Sequence, residues 1–508
     1  MYLLLSNVKV SAQLRLMVSS IRWQSTIFNL SSGRGKAGIS VIRVSGPKAT
    51  VTLQKLLKVE TFGALSQSFK PRKAYYRRLY DPMTGEHLDD GVVMWFPGPK
   101  SFTGEDIVEF HVHGGSATVK AVLKAIGEAD SDMRLSEAGE FTLRAFQNLK
   151  MDLSQVDGLC SLIDAETETE RKIALRMMKG EIGIILRRWK SLILSVVSEV
   201  EASIDFGEDQ HLSEETLLRS AIETTNTLIE EASRMLEESQ LRGRLIEEGV
   251  KVAILGPPNA GKSSLLNLLC SEDLAIVSHI PGTTRDVIRG RVDFWGSKVT
   301  LLDTAGQREV TTDSLEMEGM RRGLDAARSA QLALIVLDSL QVETTTIDHC
   351  LCQAGLRISE GNLMLPITTD NQEPVSIPCK ILLNKSDLLP QSDSNVNLES
   401  CVRFSCFTKD GLNEVSTWLR SQIQSLTEGP ENSTTSEVLL KARHRKHVAD
   451  FVTELKNFLS ALMEEKIPID IAAQHLRRSV RHLGAVTGET FTSDEVLGAI
   501  FSNFCIGK

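Results

Sequence analysis

Three short loops constrain this chain of 508 residues more than any other feature: Gly256-Pro257-Pro258-Asn259-Ala260-Gly261-Lys262-Ser263, Asp303-Thr304-Ala305-Gly306 and Asn384-Lys385-Ser386-Asp387. Each follows an apolar run. Val250–Leu255 ends at a glycine turn and Ser263–Leu269 opens a helical pattern, which predicts strand, loop, helix. Glycines there let backbone N–H groups face phosphates, Lys262 adds a point charge, and the Ser263 hydroxyl suits Mg2+. Glycine-rich turns before helices are common, so the other two loops decide the reading. Val299–Leu302 is a predicted strand that delivers Asp303 to the metal's surroundings, while Gly306 offers a backbone N–H to a terminal phosphate. Ile381–Leu383 presents Asn384–Asp387 at a strand's carboxyl end, where ligands sit in open α/β sheets. The Asp387 carboxylate matches the ring N–H and exocyclic amine of guanine, and adenine offers it neither. Together the loops imply a guanine nucleotide and a GTP-hydrolysing switch.

The length predicts two or three domains, each large enough to bury a core. A hydrophobic fraction of 42% and a charged fraction of 24% are those of a soluble globular protein, with no apolar run long enough to span a membrane. The net charge of −9 argues against a generic basic nucleic-acid coat and leaves room for a local basic surface. Met1–Val59 contains no Asp or Glu, while Lys9, Arg15, Arg22, Arg34, Lys36 and Arg43 recur among Ser, Leu and Val. This suits an organellar transit peptide before about Thr26, with a basic tail as the plainer reading. Eight cysteines in no zinc-type spacing fit a reduced compartment.

Strand-like runs at Gly38–Val44, Val92–Phe96 and Ile107–Val112, with a helix over Thr118–Ile126, predict an α+β domain. From Asp152 to about Arg244 the apolar spacing turns helical, as in Ile184, Ile185, Trp189, Leu192, Val196 and Val200, and no proline interrupts it. A breaker-rich linker, Thr427–Ser436, follows the nucleotide-binding section, and helical periodicity returns from Glu437. The pattern predicts one helical domain interrupted by an inserted GTPase domain. Gln341–Ile377 reads as a polar, irregular surface insertion. The expected fold class is multidomain α+β and α/β. Its parts are a presequence (1–25), an N-terminal α+β domain (26–144), a discontinuous helical domain (145–245 and 429–508) and an inserted Ras-like P-loop GTPase domain (246–428).

Beyond the three loops, the chain carries Gly33-Arg34-Gly35-Lys36-Ala37-Gly38-Ile39, Arg43-Val44-Ser45-Gly46, Ser101-Phe102-Thr103-Gly104-Glu105-Asp106 and His113-Gly114-Gly115. It also carries Gly139–Phe146, Lys150-Met151-Asp152-Leu153 and the ending Phe504-Cys505-Ile506-Gly507-Lys508. With these ends it resembles the MnmE/TrmE family of tRNA modification GTPases, which act on the wobble uridine, and with a presequence it is most similar to the family's mitochondrial members. The resemblance implies a matrix protein whose N-terminal domain forms a homodimer and binds a one-carbon tetrahydrofolate through Arg43, Glu109, Lys150 and Lys508. Arg and Lys suit the folate carboxylates, and a carboxylate such as Glu109 suits the pterin amine and ring N–H. It also implies mitochondrial tRNA as substrate, no membrane span, and a flavin-containing partner through which alone FAD enters. The group built on C5 is of aminomethyl type, with taurine as the amine donor in animal mitochondria. Cys505 is either a nucleophile or a structural, buried residue. His111 and His113 lie on one face of a predicted strand and are read as structural, since two ligands do not make a metal site.

The resemblance further implies K+ in place of an arginine finger, completed when two GTPase domains meet, with Asn259, Ser278, Ile280 and Thr283 facing K+ and Thr284 joining Ser263 on Mg2+. The expected nucleotide-binding set is Asn259, Ala260, Gly261, Lys262, Ser263, Ser264, Ser278, Thr283, Thr284, Asp303, Thr304, Ala305, Gly306, Asn384, Lys385, Asp387, Ser405 and Cys406. Glu316 matches the family's water-orienting glutamate. Gln307, directly after Gly306, occupies the position where other small GTPases carry a catalytic glutamine, so both remain candidates. The competing class is a GTPase that supervises ribosome or cofactor assembly, and folate binding separates the two.

Overall fold

The computed structural model describes residues 25–59, 69–206, 214–271, 275–277, 289–303, 327–353, 355–365, 376–389, 401–428, 441–463 and 468–489, with positions 497, 500, 501, 504 and 507. The chain divides into two compact units. One comprises Met1–Cys160, Met178–Arg187 and Arg481–Lys508, and the other Ser161–Met177 and Arg188–Val480.

The first unit is built on a six-stranded sheet. Its strands are β1 (Thr26–Leu30), β2 (Ala37–Ser45), β3 (Tyr75–Tyr80), β4 (His87–Phe96), β5 (Ile107–Gly114) and β6 (Met133–Leu135), in the order β3-β4-β5-β2-β1-β6. All neighbours are antiparallel except β1 and β6. Side chains alternate across a strand, so β5 sends Val108, Phe110 and Val112 into a core with Ile42 and Val44 of β2. The helices Ala49–Leu56 and Ser116–Gly127 cover that face. Arg43 and Glu109 therefore emerge together on the opposite face, as direct cross-strand partners. β1, β3 and β6 escaped the sequence reading because they are short or carry too much charge to alternate visibly. A smaller core of Leu153, Val156, Phe501 and Phe504 brings the C-terminal motif into this unit, and Ser31 Oγ donates to the Gly507 carbonyl over 2.7 Å.

The second unit holds a nine-stranded sheet. Its strands are β7 (Val250–Leu255), β8 (Ala275–Val277), β9 (Arg289–Phe294), β10 (Ser297–Asp303), β11 (Leu332–Asp338), β12 (Arg357–Ser359), β13 (Asn362–Met364), β14 (Ser376–Asn384) and β15 (Cys401–Arg403). Strands β10, β7, β11, β14 and β15 run parallel. Leu332, Leu334 and Val336 pack to one face of β11, and Ala333, Ile335 and Leu337 to the other, which is why this strand reads as continuously apolar. The described residues of the Gln341–Ile377 segment are not irregular, contrary to the sequence reading. They form the helices Ser339–Thr344 and Ile347–Gln353 and the hairpin β12–β13, which extends the sheet beyond β14. Val342, Cys350, Leu351, Leu356, Leu363 and Leu365 are buried there. Elements this short bury alternate residues too few times to show a period in sequence.

In the same unit the helix Glu214–Glu248, which precedes the sheet, packs against Ala442–Met463, which follows it. Trp189 stacks on Phe451 at 5.7 Å and 3°, with both side chains fully buried. Among the described residues, no helix is long and apolar enough to cross a membrane. The Trp189→Ala protein is expected to lose about 3–5 kcal/mol from the cavity it opens. Trp189→Phe should lose less, since it keeps a ring on Phe451 and removes a buried indole N–H that has no partner among the described residues. Urea unfolding followed by far-UV circular dichroism checks the ranking.

Candidate nucleotide-binding site

The carboxyl ends of β7, β11 and β14 lie side by side because their register aligns Leu332 with Val252 and Asp338 with Asn384. Loops leaving these strands therefore converge whatever their separation in sequence. After β7 the chain turns through Gly256, at φ +141°, where an added Cβ would lie 2.0 Å from the Val336 carbonyl oxygen. Gly261, at φ +100°, leaves no room for a Cβ beside the Asn384 amide, 2.1 Å away. Both backbone conformations are ones that L side chains rarely adopt. Asn259 between them also takes positive φ, 60°. The Lys262–Ser271 helix begins at once, so the loop's N–H groups and the helix N-terminus form one anion-receptive cradle. Lys262 Nζ donates to the Gly256 and Pro257 carbonyls at 2.9 and 2.8 Å, which holds the ammonium within the loop. The residues fit a phosphate chain, and Ser263 and Ser264 follow on the helix.

Asn384, Lys385 and Asp387 of the third loop make separate contacts. Asn384 is 3% exposed; its Nδ2 donates to the Ala260 carbonyl at 2.8 Å and its Oδ1 accepts from the Cys406 N–H at 3.2 Å. One amide thus ties the phosphate loop to the Ser405–Cys406 turn. Lys385, at φ +64°, turns outward and pairs with Asp338 at 2.6 Å. Ser405 Oγ accepts from the N–H groups of Phe407 and Thr408 at 3.2 and 3.1 Å and donates to Asp387 Oδ1 at 2.5 Å. With its lone pairs taken by two N–H groups, the hydroxyl directs its proton at Asp387 and fixes that carboxylate in place. Burial pushes the Cys406 thiol up to about 11, and the Asp387 charge adds to this against a hydrogen bond from Asn384, so it is a neutral wall at physiological pH.

Ser278, Ile280, Thr283, Thr284, Thr304, Ala305, Gly306, Gln307, Glu316, Cys505 and Lys508 lie outside the described residues, and of Asp303 only the backbone, at the end of β10, is described. In the first unit Arg43 Nε and Nη2 meet Glu109 Oε1 at 3.0 and 2.9 Å, with the guanidinium over the rings of Phe102 and Phe141. Burial raises the Glu109 pKa, but the His111 imidazole 3.5 Å away and the Arg43 guanidinium outweigh it and hold the carboxyl below its ordinary value. Lys150 Nζ donates to the Pro99 carbonyl at 2.9 Å. His113 pairs with Asp89 at 2.8 Å and His111 faces Glu109 at 3.5 Å, so the two imidazoles serve different carboxylates. The orienting hydroxyl of Ser405 and the cross-link made by Asn384 had no signal in sequence beyond their motifs.

The family model "GTP-binding protein TrmE N-terminus" matches residues 26–150, and "MnmE helical domain" matches residues 153–505. The chain belongs to the MnmE/TrmE family. It is 40% identical over 486 residues to the human protein "5-taurinomethyluridine-[tRNA] synthase subunit GTPB3, mitochondrial", covering 95% of this chain and 93% of that one. It is 35% identical to "tRNA modification GTPase gtpbp3, mitochondrial" of Dictyostelium discoideum, over 96% of this chain and 95% of that protein. It is 37% identical to "tRNA modification GTPase MnmE" of Rickettsia bellii, over 95% of this chain and 100% of that protein. The Asn384–Asp387 loop is expected to set nucleotide choice. Asp387→Asn should weaken GTP roughly tenfold or more, since hydrogen bonds to a charged group contribute about 1.5–3 kcal/mol. Xanthosine triphosphate should gain, because the amide can donate to the carbonyl that replaces guanine's amine. Competition titration with both nucleotides tests this, and unchanged GTP affinity would remove Asp387 from base reading.

Proposed function

We propose that this chain is the GTP-hydrolysing subunit of a mitochondrial enzyme that modifies C5 of the wobble uridine in tRNA. The observation that carries the reading is the Asn384 cross-link. It joins a phosphate cradle to a carboxylate suited to guanine, in a chain whose two ends match the family's own domains. The names of the relatives supply the substrate, the word "subunit" and the organelle. The protein is mitochondrial, and its partner is a flavin-containing subunit that carries FAD. Three domains are proposed after a transit peptide (1–25): a folate-binding, dimer-forming N-terminal domain (26–144), a helical domain in two pieces (145–245 and 429–508), and a GTPase domain inserted between them (246–428).

The chemistry of the donors fits the groups they would hold. Ser263 and Thr284 supply hydroxyl oxygens for Mg2+, and Asn259, Ser278, Ile280 and Thr283 supply side-chain or carbonyl oxygens for K+. Bound K+ supplies the positive charge that a transferring phosphoryl group requires. Glu109, held ionised, can accept from a pterin's N–H groups, while Arg43, Lys150 and Lys508 suit the carboxylates of a one-carbon tetrahydrofolate. Glu316 orients the attacking water, with Gln307 as its rival, and Cys505 is the candidate nucleophile of the terminal motif.

Replacing Na+ by K+ should accelerate GTP hydrolysis severalfold, and Asn259→Ala should lose that acceleration while still binding nucleotide. Equal rates in the two salts would discard the K+ assignment. Glu316→Ala should bind GTP normally yet hydrolyse it at least tenfold more slowly, because positioned acid–base groups contribute about 10²–10⁴-fold. Gln307→Ala should then be nearly silent, and the reverse pattern would exchange their roles. Mass analysis of wobble uridines in mitochondrial tRNA after depletion of the protein tests the whole reading. Unchanged uridines would turn it toward an assembly GTPase.

A further inference from the structure

Although the chain carries a net charge of −9, the stretch Lys70-Pro71-Arg72-Lys73-Ala74-Tyr75-Tyr76-Arg77-Arg78 holds five basic residues and no acidic one. It enters and forms most of β3, the outermost strand of the first unit's sheet. Lys70, Arg72, Lys73, Tyr76, Arg77 and Arg78 are all exposed, Tyr76 at 68%. The side chains of Lys70 and Lys73 make no hydrogen bond or ion pair among the described residues. Arg77 lies over the rings of Phe69 and Tyr75, each at 5.3 Å, and its Nη1 donates to the Tyr76 carbonyl at 2.9 Å. Among the described residues only Arg78 meets an acid, Asp90 at 3.6 Å.

Charged side chains on an edge strand guard it against pairing. This cluster goes further, because the basic surface continues off the strand. Arg72 donates to the Lys100 carbonyl, and Lys150 donates to the carbonyl of the preceding residue, Pro99. Arg72, Lys100 and Lys150, all exposed, thus surround one turn. Clustered cations with an exposed aromatic ring are the chemistry of a nucleic-acid strand, with phosphates on the cations and a base on the ring. Two copies of this edge would set like charge against like, which disfavours self-pairing.

We infer that the β3 edge and the segment leading into it, Lys70–Arg78, form a docking surface for the sugar-phosphate backbone of the tRNA substrate. This rests on the proposed function, and it places the RNA beside Lys150, one of the residues proposed to hold the one-carbon donor.

The test uses the full chain and an in vitro transcribed tRNA with uridine at the wobble position, titrated by fluorescence anisotropy at several salt concentrations. Lys70→Glu/Lys73→Glu should weaken binding about tenfold or more and lower the slope of log affinity against log salt by about 2. Tyr76→Ala should weaken it severalfold without changing the slope, and Tyr76→Phe should behave as the unaltered protein. Unchanged GTP affinity and unfolding midpoint show that each variant is folded. If the unaltered chain binds tRNA and the reversals bind it equally well, the surface assignment is overturned and the proposed function stands. If the unaltered chain binds no tRNA even at low salt, the surface is overturned as well, and the wobble-uridine analysis then decides the function independently. Binding of cardiolipin-containing vesicles but not of tRNA, lost in the reversals, would reassign the surface to a membrane and overturn the proposal.

Discussion

The candidate nucleotide site depends on a single buried amide. Asn384 bonds the Ala260 carbonyl on one side and the Cys406 N–H on the other, at 3% exposure. Its donor and acceptor ends have no water to fall back on, so losing either bond costs the desolvation of the group left behind. That asymmetry makes the amide a fixed spacer between the cradle for phosphates and the turn that positions Asp387. Gly261 completes the arrangement by having no Cβ, since the space one would occupy belongs to the Asn384 amide.

A second set of contacts in the same unit joins the sheet to a helical segment. The Thr169 N–H donates to the Gly296 carbonyl at 2.9 Å, in the tight turn between β9 and β10, and Lys298 lies between Glu166 and Glu170 at 3.5 and 3.1 Å. Asp293 shares this pocket; burial raises its pKa first and the charge of Glu170 adds to it, against a hydrogen bond from the Gly296 N–H. β10 runs from this turn to Asp303, so the helix Glu168–Met178 holds the far end of the strand that carries the second motif.

The first unit spends its polar groups on rigidity. Arg144, 1% exposed, bonds Glu105 and Glu140, while Arg134 meets Glu140 at 2.5 Å. Removing one partner from such a buried network typically costs about 3–5 kcal/mol, because the remaining charge stays buried. The network spans the Ser101–Asp106 and Gly139–Phe146 motifs, which reach the face carrying Arg43 and Glu109 through Phe102 and Phe141. Those motifs read in sequence as family marks without a stated task, and here they hold the loop and helix around one ion pair.

By itself the sequence determined the strands and loops whose chemistry is local. β7 falls on Val250–Leu255 as its apolar run requires, and the helix after the cradle begins at Lys262, because glycine turns and apolar periods act within a few residues. β14 proved longer than Ile381–Leu383 because its outer half, through Pro378, pairs with a hairpin that sequence showed only as a polar stretch. What tertiary structure alone decided is which distant groups meet: Asn384 with Ala260, Ser405 with Asp387, Arg43 with Glu109, and Gly507 with Ser31. Strand order and register set those meetings. Register is fixed by which faces are buried against which helices, a property of the assembled sheet and not of any one segment.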